Sequence, residues 1–337
     1  MKIKKLDFKH FVFGQAGVQG FFCESDEHKH HKLFNLIPGF SFKNMVFVAK
    51  TITVDPRIYP LSSNTELRDG YKVKRFLPKS IWVSVKSFFG GYMLNAVGLA
   101  NQGAMKMFSY GKWQERKEPF MLSFMPLGKT MEEKRLEVVN FCTALKTNSD
   151  PKKSINYALQ INFSCPNTGH EQKQKLDEIV CVLSQFRKSL PELILVPKFN
   201  LLVEPETISI LKSYCDAFCL TNTIGFWEME DSINWKKLFP EEKSPLTKHF
   251  GGKFKGGLSG KPLFSLLVKW LERMQKYDDT VIIIAGGGIM NKSNIFKLSQ
   301  FKIVHGVALG CVATIRPWKL QSLINYGNEI FERRKFE

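Results

Sequence analysis

Polar and reactive side chains recur at one kind of place in this chain, just past short apolar runs. Lys50-Thr51 follows one such run, and Asn162-Phe163-Ser164-Cys165-Pro166-Asn167 follows another. The same is true of Lys198-Phe199-Asn200, Thr221-Asn222-Thr223, Gly286-Gly287-Gly288 and Gly310-Cys311. A single lysine or asparagine past a strand is ordinarily a solvated turn residue. Several such endings gathered on one rim describe a pocket instead. Amides offer donor and acceptor together, and two lysines add positive charge, which suits a polar, anionic, planar ligand. The glycines suit a different group. Gly286 to Gly288 and Gly310-Cys311 each precede a helix-like stretch, where backbone N–H groups and the helix N-terminus favour a phosphate. Glycine lets the backbone approach it without a Cβ in the way.

These residues share a rim only if the apolar runs are parallel strands of one sheet. The runs at 120–125, 157–163, 193–198, 217–221, 281–285 and 303–309 are short and nearly all apolar, as strands buried on both faces are. Helix-like segments separate them at 130–147, 172–189, 205–214, 262–278, 291–299 and 316–334. This alternation is that of an α/β protein. Two earlier runs, 11–15 and 45–50, raise the strand count to eight. That number closes a (β/α)8 TIM barrel, whose chemistry sits at the C-terminal strand ends. A doubly wound open sheet is the competing architecture, but no GxGxxG opens its first unit. No repeat or low-complexity linker marks a boundary, so residues 1–337 are expected to form a single domain.

Composition narrows the class. The chain has 337 residues, 44% hydrophobic and 24% charged, which is ordinary for a globular protein with a sizeable core. Its formal charge of +18 favours anionic partners without naming one. Lys and Arg are spread along the chain, and no zinc-finger or RNA-binding motif accompanies them, so nucleic-acid binding is not expected. Seven cysteines lie without a CxxC pair, which excludes the usual zinc-ribbon and iron–sulfur patterns. A reducing cytoplasm is the expected location. No run approaches the roughly 20 apolar residues of a membrane helix, so no membrane insertion is expected. His28, His30 and His31 lie close enough in sequence to invite a metal, but among charged neighbours they are expected to be a solvated loop patch, with no metal site.

The segment from Asn162 to Asn167 closely resembles the NxSCPN signature of the dihydroorotate dehydrogenase family. Other stretches resemble elements of the same family. Asn95-Ala96-Val97-Gly98-Leu99-Ala100-Asn101 is similar to its substrate loop, Thr221-Asn222-Thr223 to its asparagine element, and Gly256-Gly257-Leu258-Ser259-Gly260 to its GGLSG element. The resemblance implies an FMN-binding barrel that oxidises (S)-dihydroorotate to orotate in de novo pyrimidine (UMP) biosynthesis. It assigns the removal of the substrate's C5 proton to Cys165, with hydride passing from C6 to N5 of FMN. A thiol suits that task because a nearby positive charge can bring its pKa toward neutrality.

The resemblance also distributes the remaining roles. Lys50 lies between flavin and substrate and counts with Cys165 as catalytic. Asn95, Asn162, Asn167, Asn222 and Thr223, with the backbone of Gly98 and Leu99, hold the substrate. FMN is held by Ala16, Gly17, Lys50, Thr51, Asn162, Lys198, Gly257, Gly287, Gly288, Gly310 and Cys311, the last four around its phosphate, with Thr223 also in contact. Lys198 stabilises the anionic reduced ring.

Cysteine rather than serine at 165, and the short chain before Lys50, are similar to the soluble, class 1 branch and not to the membrane-associated one. A homodimer is expected by resemblance, and the electron acceptor is either fumarate or NAD reached through a partner subunit. Relatives acting on uracil or thymine carry histidine after the cysteine-proline pair, so Asn167 argues against another dihydropyrimidine as substrate. A flavin-binding barrel with a non-catalytic partner role is the other alternative, and joint retention of Cys165, Lys50 and Lys198 argues against it. The chain departs from the family pattern at Val97, at Cys311, and in a long charged stretch at 226–255.

Overall fold

A computed structural model describes residues 1–57, 67–68, 71–73, 76, 78–148, 156–164, 175–249, 252 and 254–334. Its centre is a seven-stranded, wholly parallel sheet. In spatial order the strands are Phe120–Phe124, Tyr157–Asn162, Ile194–Phe199, Phe218–Leu220, Ile283–Gly286, Val304–Leu309 and Val12–Gly14. The first three and the fifth are buried almost without a break, because helices cover one face and the other turns inward. Helices Met131–Thr147, Leu176–Ser189, Pro205–Leu211, Phe264–Tyr277, Lys292–Ser299 and Leu320–Arg333 alternate with the strands. Their starts are written locally. Thr130 and Glu133 form a reciprocal capping box, and Pro205 occupies the first turn of its helix, where a missing N–H costs nothing.

The run expected as a strand at 45–50 does not form a regular ladder. Its bridges are isolated, Phe13 to Val46 on one side and Val48 to Met121 and Ile52 to Phe124 on the other. They reach both edge strands of the sheet. Val46 N–H donates to Val12 O at 2.8 Å, and Ala49 and Ile52 N–H donate to Met121 O and Ser123 O, both at 2.9 Å. Residues 49 to 52 therefore span three steps against two on the neighbour, 121 to 123, which is a bulge at Lys50-Thr51. Lys50 N–H is turned out of the sheet to Gly20 O at 2.8 Å. The bulge is the physical reason the ladder breaks, and it re-aims Lys50.

Sequence periodicity did not indicate a second, antiparallel sheet made of Ile224–Gly225, Gly257–Gly260, Tyr92–Asn95 and Ile81–Trp82. It carries Asn95 opposite Gly257. The charged stretch after Phe226 packs against it through aromatic rings. Phe239 lies 5.2 Å from Trp82 and from Phe226 and 5.8 Å from Tyr92, centroid to centroid. One continuous hydrophobic cluster joins both sheets and the helices. Among the described residues no helix is long and apolar enough to cross a membrane.

Candidate active site

The C-terminal ends of the parallel strands, the bulge at Lys50 and the edge of the antiparallel sheet surround a cavity of about 260 Å³. Strand ends Asn162 and Lys198 are register partners on adjacent strands, and both are buried. Asn222, one strand further, donates through Nδ2 to Asn162 Oδ1 and to Ser164 O, each at 3.0 Å. Its own Oδ1 accepts from Thr223 N–H at 2.9 Å. Every polar atom of Asn222 is thus oriented by the chain around it, which fixes the amide toward the cavity. From the antiparallel sheet, Asn95 contributes an Nδ2 that lies 3.4 Å from Ser259 Oγ.

Lys50 Nζ donates to Ala100 O at 3.0 Å and lies 4.9 Å from the centre of the Phe21 ring. Burial pulls its pKa down to about 8, and the Glu27 carboxylate opposes that fall. Thr51 and Ser123 share a 2.8 Å hydroxyl hydrogen bond beneath it. Cys311 lines the same cavity, and burial pushes its thiol well above the usual range, so it is a neutral contact.

Two glycines form a turn on the cavity wall. Gly287 and Gly288 line the cavity with φ of 115° and 75°. A Cβ on Gly287 would stand 2.3 Å from Thr221 Cγ2, and one on Gly288 2.7 Å from Gly260 O. Glycine is required at both. A glycine turn with buried Lys198 in the same cavity fits an anionic cofactor such as FMN.

Residues 84–300 match the family model described as dihydroorotate dehydrogenase. The chain belongs to the dihydroorotate dehydrogenase family. That assignment makes it an FMN-dependent oxidoreductase on an α/β, TIM-barrel type of fold. No curated protein matches the chain.

The dihydroorotate dehydrogenase match includes Asn95, Asn162, Lys198 and Asn222 but excludes Ala16, Gly17, Lys50, Thr51, Gly310 and Cys311. All ten line one cavity, with Gly98, Leu99 and Thr223. Gly257 does not line it, whereas Ser259 and Gly260 further along the same strand do. Cys165 and Asn167 lie outside the described residues.

The expected solvated patch of histidines is corrected. His30 and His31 are buried, His28 is half-buried, and all three line the cavity. Their ring centroids are 4.6 to 5.4 Å apart. Phe34, Phe40 and Phe42 pack on them at 5.3 to 5.5 Å. Burial holds their pKa values down, to about 3 for His28, about 4 for His30 and about 2 for His31, so the imidazoles are neutral near pH 7. His28 Nε2 is 3.0 Å from Gly17 O. Among the described residues no group of His, Cys, Asp or Glu is arranged to hold a metal ion. Sequence reasoning also missed Gln15, whose Nε2 donates to Thr221 O at 3.3 Å on the cavity wall. Its place at the end of the first strand was the available signal.

Proposed function

We propose that the protein is a dihydroorotate dehydrogenase of the soluble, cysteine-base class, oxidising (S)-dihydroorotate to orotate for pyrimidine biosynthesis. In this reading residues 1–337 form one (β/α)8 barrel, with the bulged segment 46–52 as the eighth stave. The protein is cytoplasmic and homodimeric. The observation that carries the reading is convergence. Residues inside the family match, Asn95, Asn162, Lys198 and Asn222, face the same cavity as Lys50 and Cys311 outside it.

FMN, when bound, supplies the ring that accepts hydride from the substrate's C6. Gly287, Gly288, Gly310 and Cys311 hold its phosphate through backbone N–H groups, and Ala16, Gly17 and Thr51 lie along it. Lys198 sets a fixed positive charge beside it, where negative charge gathers on reduction. Asn95, Asn162, Asn167 and Asn222 bind the pyrimidine edge through their side-chain amides, Asn222 through its oxygen. Lys50 neutralises the negative charge of the bound acid. Cys165 takes the C5 proton as a thiolate, the form that a nearby positive charge would favour.

Cofactor identity is tested by denaturing the purified protein and analysing the released chromophore by mass. One FMN per chain together with orotate formed from dihydroorotate is the expected result. A different flavin, or FMN without orotate, would remove the assignment.

A further inference from the structure

The residues around Lys50 raise a question that the proposed reaction leaves open, namely what keeps a half-buried ammonium seated and charged beside a cavity. The answer lies in the turn at 20–24. Glu27 is almost fully buried, at 1% exposure. Its Oε2 accepts from Phe21 N–H at 2.5 Å, and its Oε1 from Phe22 N–H at 2.8 Å and Glu24 N–H at 2.9 Å. Both oxygens act as acceptors, the pattern of the ionised carboxylate; burial raises the pKa of Glu27, and the three backbone N–H groups oppose that rise. Gly20, at φ +77°, makes room for it, since a Cβ there would lie 2.3 Å from Oε2.

The turn built on this carboxylate holds Lys50 at both ends. Gly20 O accepts Lys50 N–H, and the Phe21 ring lies under Lys50 Nζ. Trp113 Nε1–H locks Phe21 O from behind at 2.6 Å. Among the described residues, the charged and titratable groups that act on Lys50 are few. Glu27 supports its positive charge, and the repulsion between Lys50 and His28 matters only when that imidazole is protonated. Glu24, on the same turn, is occupied by Lys72, Lys112 and Tyr71.

We propose that Glu27 is the positioning residue of Lys50, building the turn that seats the ammonium and supplying its buried counter-charge. The role of Lys50 rests on the dihydroorotate dehydrogenase reading, whereas the coupling of Glu27 to Lys50 does not.

Its test is a direct titration of Lys50 by competitive acetylation with acetic anhydride across about pH 6–10, read by peptide mass spectrometry on the purified full-length chain. Wild type is expected to titrate near 8. Glu27→Gln, which removes the charge, is expected to lower that midpoint measurably, because the Glu27 carboxylate acts to raise it. The alkaline fall of flavin reduction by dihydroorotate moves with it. An unshifted midpoint in folded Glu27→Gln overturns the proposal. Should Glu27→Gln not fold, Glu27→Asp keeps the charge but withdraws it by one methylene. A smaller downward shift is then expected, and an unchanged midpoint again overturns the coupling. The labelling needs no turnover, so a shifted midpoint in a protein that dihydroorotate cannot reduce would leave Glu27's role standing while removing the assigned substrate.

Discussion

One part of the cavity lining carries Asn95, Asn162, Lys198 and Asn222, and another carries His28, His30 and His31. The two keep polar groups out of water by different means. The amides stand on the ends of hydrogen-bonded strands, and Asn222 is tied to Asn162, Ser164 and Thr223. Their polarity is the same at any pH, so a ligand finds the same donors and acceptors throughout. The imidazoles stand on the segment around 28–31 among phenylalanine rings and are held neutral by burial. Their polarity changes sharply once a proton is added. The fixed donors and acceptors therefore stand on the sheet, and the sensitivity to acid on the segment around 28–31.

The contrast can be broken from the sheet side first. Replacing Cys165 by Ala is expected to leave flavin bound and to slow its reduction by dihydroorotate by about 10²-fold or more, the scale of losing a general base. Anaerobic stopped-flow absorbance measures this, and unchanged reduction would take Cys165 out of the reaction. Gly288→Val should come next. Its φ of 75° and the closeness of Gly260 O and Phe264 N leave no place for a side chain, so FMN affinity should fall by roughly 30-fold, about 2 kcal/mol. Flavin retained through gel filtration at wild-type stoichiometry would speak against a phosphate at this turn. Asn222→Ala removes one oriented amide, and KM for dihydroorotate should rise about tenfold, near 1.4 kcal/mol, with FMN retained. An unchanged KM would move the substrate off this wall.

The histidine side gives the smallest effect. The folded-state pKa values lie below the ordinary histidine value, so the unfolded chain binds more protons between about pH 4 and 6.5. Stability must rise with pH across that window and be lost as pH falls through it. His31→Leu should reduce the loss on acidification from pH 6.5 to 4 by about 1 kcal/mol in urea denaturation, since part of the cost is relieved by local opening. An identical pH slope in the variant would mean that His31 is not buried in the neutral form.

Much of the sheet was legible in the sequence because strands buried on both faces are mostly apolar, as Phe120–Phe124 is apart from Ser123 and Ile194–Phe199 apart from Lys198. Helix Met131–Thr147 was legible because Thr130 and Glu133 mark its start. The antiparallel sheet was not, since strands of two to four residues such as Ile81–Trp82 carry no period. Nor was the bulge at Lys50, which depends on hydrogen bonds to Gly20, Met121 and Ser123 far along the chain. The site residues were visible as polar strand endings. The histidines were misjudged because Asp26, Lys29 and Lys32 beside them suggest solvent, whereas their burial comes from Phe40 and Phe42, beyond the local pattern. Glu27 was overlooked for the same reason, its partners being backbone N–H groups that no sequence pattern displays.

The central claim is that the amide and lysine wall binds dihydroorotate against FMN. The most direct test is to add dihydroorotate to the purified protein without oxygen and follow the visible spectrum. The account predicts a yellow protein whose flavin bleaches as orotate forms. A flavin that stays oxidised, or a colourless protein that takes up no FMN, would contradict it.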